Sequence, residues 1–184
     1  MEISSSTERI THPLPPVWDS ESEVLLLGTM PSPASRKSGF FYMHPQNRFW
    51  KVLPALFSER LTLPNNADDI EGAIEERRDF LVRHGIALWD VLARCDIHGA
   101  SDSTIRNEVP NDFTEIFERS KVRRVFCTGK TAFKLWQRHC DDRYRSFRIQ
   151  CACLPSTSPA NAAWSLEKLV EAYKSIVESL ACRA

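Results

Sequence analysis

The sequence predicts an α/β fold: a three-layer α/β/α sandwich with a central, mostly parallel four-stranded sheet. Short apolar runs alternate with longer stretches of helical period, the order expected of parallel βαβ crossovers. The first run, VLLLG (24–28), is wholly apolar and ends in glycine, as does a strand buried on both faces. The chain has 184 residues, enough to build one sizeable core.

Residues 1–20 are polar and Pro-rich, with PLPP at 13–16, and read as a flexible arm ahead of a single domain, 21–184. After the strand 24–28 comes TMPSPASRKSGFFYMHPQ, which has no period and holds three prolines, so it reads as a long loop. Asn47 to about Phe57 has helical character. Residues 67–84 place Ile70, Ile74, Leu81 and Val82 on one side of a second helix, which Gly85 closes. IALWDVL (86–92) is a second buried strand, and 95–112 is a loop. Then follow the helix FTEIFERS, the strand VRRVFCTG, the helix KTAFKLWQRH, the strand SFRIQCACL, the loop PSTSPANAA and the helix WSLEKLVEAYKSIVESL.

In open parallel sheets a ligand binds beyond the carboxyl ends of the strands. The loops after VLLLG, after ALWDVL and after CACL leave such ends and can converge. The formal net charge of +0 gives no global field for a polyanion, so a nucleic-acid surface would be a local patch. Arg36/Lys37, Arg48/Lys51, Arg123/Arg124 with Lys130, and Arg143/Arg145/Arg148 are the clusters available. No apolar run reaches the roughly 20 residues of a membrane span. The N-terminus has no signal-peptide core, and the protein is expected to be cytoplasmic.

The six cysteines read as thiols. Cys151 and Cys153 are one residue apart, closer than the roughly two to four residues of zinc knuckles, so His139, Cys140, Cys151 and Cys153 are not expected to hold metal. FCTGKTAF lacks the first glycine of a phosphate loop, Arg124 standing in its place, and reads as a strand–turn–helix with Gly129 at the turn. GxSxG, HExxH and GxGxxG are absent from the sequence. Asp90, at the end of LWD, is read as structural.

GTMPS (28–32), HPQNRFWKV (44–52), ALWDVL (87–92), SDSTIRNEVPNDF (101–113), LPSTSPAN (154–161) and SLEKLVEAY (165–173) together resemble the uracil-DNA glycosylase superfamily. The nearest likeness is to its hypoxanthine-DNA glycosylase (DNA-deoxyinosine glycosylase) branch, with the mismatch-specific uracil/thymine glycosylases as neighbours. The resemblance runs from about residue 22 to the C-terminus. It implies a parallel sheet between helices, and hydrolysis of the bond between a deaminated base and deoxyribose after base flipping.

In the mismatch-specific relatives the third residue of the first motif is an asparagine that positions water. Here it is Met30, whose thioether cannot orient water. The hypoxanthine branch is similar in lacking that asparagine and uses one in its second motif, which corresponds to Asn47.

The resemblance implies Asn47 as the catalytic residue, positioning water or holding the base edge. Tyr42, or else Phe40 or Phe41, would stack on the base. Gly28, Thr29, Met30, Pro31 and Ser32 would face it, with His44, Asp102 and Ser103 as further substrate contacts. Ser156, Thr157, Ser158, Pro159 and Asn161 would hold DNA, and Arg48 would serve either the DNA backbone or the fold. With Lys51 the one lysine in the motifs that carry the site residues, GTMPS, HPQNRFWKV, SDSTIRNEVPNDF and LPSTSPAN, a monofunctional enzyme without metal or other cofactor is expected, acting on DNA as a monomer. The competing expectations are a uracil or mismatch-specific pyrimidine glycosylase and a non-catalytic module that binds damaged DNA.

Overall fold

The computed structural model describes residues 7–98 and 101–181. A four-stranded sheet forms its centre. It consists of β2 (Val24–Gly28), β3 (Ile86–Asp90), β6 (Arg124–Thr128) and β7 (Gln150–Leu154), in the order β3-β2-β6-β7. Every pairing in it is parallel. β2 is central and fully buried because both its faces are apolar. Leu25 and Leu27 join one core cluster, and Val24 and Leu26 the other. Each such leucine contributes about 1.5–3 kcal/mol by leaving water.

Helices cover both faces. Their ranges are α1 (Pro33–Ser38), α2 (Phe49–Ala55), α3 (Ile70–Arg83), α4 (Thr114–Arg119), α5 (Lys130–His139) and α6 (Leu166–Ala181). α2, α3 and α6 share one cluster with Leu26 and Leu88. α4 and α5 pack with Leu25, Leu27 and Val125 on the other face. The three-layer sandwich is therefore as the sequence predicts.

Several local expectations need correction. The long loop after β2 contains α1, capped by Ser32. The segment read as a loop at 95–112 instead carries strands. β3 stops at Asp90, and the chain continues as β4 (Leu92–Ile97) and β5 (Arg106–Pro110). These two join β1 (Glu8–Thr11) in a small antiparallel sheet ordered β1-β4-β5.

The N-terminal segment is not a loose arm over its described part. β1 pairs with β4, Val17 bridges to Leu88, and Ile10, Leu14 and Val17 are buried. Those three apolar side chains anchor it in both clusters. Residues 1–6 lie outside the described residues. β7 is an edge strand with Cys153 exposed, not a buried strand.

Candidate active site

A cavity of about 510 Å³ opens at the carboxyl ends of the parallel strands. Gly28 ends β2, Asp90 ends β3 and Thr128 ends β6, and all three line it. The loop after β7 supplies Ser156, Thr157, Ser158, Ala160 and Asn161. Of the residues expected from sequence, Gly28, Thr29, Met30, Pro31, Ser32, Tyr42, Asn47, Asp102, Ser103, Ser156, Thr157, Ser158 and Asn161 meet at its wall. His44, Arg48 and Pro159 do not.

Asn47 precedes α2 and is held in one orientation. Its Oδ1 accepts from the backbone N–H of Phe49 at 3.0 Å and from the Thr157 hydroxyl at 2.9 Å. A backbone N–H can only donate, so the facing atom must be the oxygen. Both acceptor positions of Oδ1 are thus taken. Nδ2 makes no hydrogen bond among the described residues, so Asn47, which lines both this cavity and a neighbouring groove beside Trp50 and Leu63, keeps a free donor.

Tyr42 has φ 57, a left-handed conformation uncommon for a residue with a large side chain. Its ring lies flat on Phe49, with centroids 3.9 Å apart and planes 10° apart. Tyr42 also lines the cavity, so its ring is backed by Phe49. Thr128 donates to the Leu27 carbonyl at 3.2 Å, so the Tyr42 hydroxyl donates to Thr128 Oγ1 at 2.7 Å. Burial first, and then the charge of Asp90, raise the Tyr42 pKa well above its ordinary value. The phenol is therefore a neutral donor. Of the other stacking choices, Phe40 is buried in the core away from the cavity, while Phe41 touches the cavity wall but is only 2% exposed.

Gly28 is required by close approach. A Cβ there would stand 2.2 Å from Asp90 Oδ1 and 2.8 Å from the Tyr42 hydroxyl. The parallel register sets Gly28 opposite Asp90. At the rim, Asp102 accepts from the Thr29 hydroxyl at 2.9 Å. The surrounding protein withdraws water from Asp102 and raises its pKa, the Thr29 bond opposing and Asp90 adding to the shift. Ser32 Oγ accepts from Ser35 N and donates to Ser35 Oγ, so it caps α1.

The loop after β7 is tightly tied. Arg48, expected on DNA or in the fold, turns its guanidinium to backbone carbonyls. It donates to Thr157 (3.3 Å), Ser158 (2.7 Å), Asn161 (3.1 Å) and Trp164. It staples the start of α2 to this loop. Asn161 Nδ2 donates to the Ser156 carbonyl at 2.9 Å. The Ser156 and Ser158 hydroxyls accept from backbone N–H groups of the loop and keep their own hydrogens for an outside acceptor. Pro159 is exposed beside the mouth. His44 closes a turn, its Nδ1 accepting from Gln46 N.

Sequence reasoning gave Asp90 a structural role and passed over His12. His12 Nε2 lies 2.9 Å from Asp90 Oδ2, and the two side chains are 3% and 5% exposed. An aspartate at the end of a strand beside Gly28 was a readable sign of a site residue. His12 gave no such sign. Among the described residues, no group of three or more His, Cys, Asp or Glu side chains is placed to hold a metal.

The sequence profile of the Uracil DNA glycosylase superfamily matches residues 15–181. A Hypoxanthine DNA glycosylase of Methanosarcina acetivorans is 30% identical over 152 residues, covering 82% of this chain and 88% of that protein. One from Methanosarcina barkeri is 34% identical over 117 residues, covering 63% of this chain and 69% of that protein. The solution NMR structure of a candidate uracil DNA glycosylase from Methanosarcina acetivorans superposes with a TM-score of 0.73 at 28% identity, covering 92% of this chain and 98% of that one. A profile that spans both faces of the sheet and every wall of the cavity makes this chain a member of the uracil DNA glycosylase superfamily.

Proposed function

We propose that this DNA glycosylase removes hypoxanthine from DNA. It flips the base of deoxyinosine into the cavity, hydrolyses the N-glycosidic bond and leaves an abasic site. It acts as a monofunctional enzyme, as a monomer and in the cytoplasm. The observation that carries the reading is the pinned amide of Asn47, whose Oδ1 is committed and whose Nδ2 is free, at the wall of the cavity that Tyr42 also lines. The relatives named above as hypoxanthine glycosylases support the choice of base.

Breaking the bond builds positive charge on the sugar and negative charge on the base. Asn47 Nδ2 donates to the base as that charge grows. This favours the base-holding role of Asn47 over water activation, because Oδ1 has no free acceptor position. Tyr42 stacks on the base through the ring face turned away from Phe49, a contact worth about 1–3 kcal/mol. The Ser156 and Ser158 hydroxyls donate to phosphates, and Pro159 and Ala160 press toward the gap in the duplex. Among the described residues that line the cavity there is no lysine, so no amine is at hand for a Schiff base.

The test is a pair of duplexes carrying one hypoxanthine or one uracil, under single-turnover conditions with and without borohydride. Alkali-labile sites at hypoxanthine and no trapped adduct are expected. Cleavage at uracil alone would overturn the base assignment, and a trapped adduct would overturn the monofunctional one.

A further inference from the structure

An N-glycosidic hydrolysis needs a water aimed at C1′, and Asn47 has no acceptor left to aim it. Met30 cannot do so either. A different acceptor faces the same cavity. Asp90 lines it, and the residue as a whole is only 3% exposed. Its Oδ2 is held by His12, while its Oδ1 makes no hydrogen bond among the described residues and is not sealed from the cavity.

The donor in this pair can be assigned. The backbone N–H of Leu14 donates to His12 Nδ1 at 3.2 Å. Nδ1 must then be the unprotonated nitrogen, so Nε2 carries the hydrogen and donates to Asp90 Oδ2. The ring sits between Phe41 and Trp89, with centroids 6.1 and 6.2 Å away. One backbone and one side-chain bond hold its segment: His12 N donates to the Ala93 carbonyl, and the Trp89 indole Nε1 donates to the Leu14 carbonyl. The other titratable groups facing Asp90 are Tyr42 from the loop after α1 and Asp102 from the rim. The missing Cβ of Gly28 is what leaves room for Oδ1.

We infer that Asp90 is a second catalytic residue, which accepts a hydrogen bond from the attacking water through Oδ1, and that His12 is the positioning residue that fixes its carboxylate. The inference rests on the glycosylase reading given above. The water oxygen bonds to C1′ as the bond from C1′ to the base breaks, and that bond's electron pair leaves with the base. Asp90 takes one proton of the water and later returns it to solvent, the other proton stays on the new hydroxyl, and the departing base takes one proton from solvent. The sum is free base and a sugar bearing a 1′-hydroxyl. The N-terminal segment thereby becomes part of the active site.

The test compares the wild type with Asp90→Asn, His12→Phe and His12→Gln. Single-turnover base release from hypoxanthine and uracil duplexes is read beside affinity for an uncleavable 2′-fluoro analogue and the melting temperature. Asp90→Asn keeps shape and an acceptor for His12 but removes the charge. It should slow release by about 100-fold or more, with analogue affinity and melting temperature near the wild type. His12→Phe should slow release by about 10-fold, and His12→Gln, which restores a donor near the Nε2 position, should recover most of it.

Release by Asp90→Asn within about threefold of the wild type would overturn the inference, as would a loss of analogue affinity as large as the loss of rate. If Asp90→Asn fails to fold, the His12 pair decides: equal rates for Phe and Gln would sink it. The two readings fail separately. A wild type that releases uracil but not hypoxanthine ends the base assignment while the Asp90 effect is still read on uracil. A wild type that releases neither base ends both.

Discussion

Asn47 carries its chemistry because its oxygen is committed to the fold. Phe49 N–H and the Thr157 hydroxyl hold Oδ1, and in the proposed reaction the free Nδ2 is the group that meets the base. Asn47→Ala should slow base release by about 10²–10³-fold, the usual cost of removing one donor to a developing anion. It should also cost about 1 kcal/mol of stability, because Phe49 N–H loses its acceptor. Asn47→Asp keeps that acceptor. Its thermal unfolding should match the wild type while its turnover does not recover. A fully active aspartate variant would move the leaving-group donor elsewhere. At this scale the sequence was partly readable. The residue types in HPQN and GTMPS could be matched to a known pattern. That Oδ1 is occupied could not, because Thr157 lies far away in the chain and the pinning appears only when α2 meets the last loop.

Among the elements, the buried parallel strands were legible because VLLLG and IALWD have no polar face to hide. The antiparallel sheet was not. β1 and β5 are largely exposed, half of β4 is buried, and ERIT, LARCDI and RNEVP are crowded with charge. Only Ile10, Leu92, Cys95 and Ile97 show their inward face. The Pro-rich character of residues 13–16 disguised a segment that lies against the core. The same limit applied to Arg48, where a cation beside DNA-binding motifs suggested phosphate. The fold uses it to hold four carbonyls of the last loop and its flank. Arg48→Ala should therefore destabilise the protein by about 3 kcal/mol, since carbonyls bonded to a charged group lose their donor. The salt dependence of DNA binding should stay as in the wild type. A slope lower by about one would mean that Arg48 contacts a phosphate after all.

Across the whole molecule, the small sheet ties the N-terminal segment to the cavity, and part of that tie is acid-sensitive. Asp96 on β4 accepts from Arg9 on β1 and from Asn107 on β5. These bonds hold its pKa down to about 2, below the ordinary carboxylate value. A depressed pKa in the folded state stabilises above the unfolded value and loses that effect as pH falls through the folded one. Asp96→Asn should therefore lower the melting temperature at neutral pH, and the gap to the wild type should close as pH drops from about 4 toward 2. A gap that persists at the acid end would show that the contribution is not the carboxylate's charge. The described helices include none long and apolar enough to cross a membrane, and the formal net charge of +0 provides no global field for DNA.

The most direct measurement is chromatographic detection of free base from a duplex carrying a single hypoxanthine, with enzyme in excess. The account predicts free hypoxanthine in one-to-one yield with abasic sites, formed by Asn47→Ala about 10²–10³-fold more slowly than by the wild type. Absence of free hypoxanthine from the wild type, or equal release by both proteins, would contradict it.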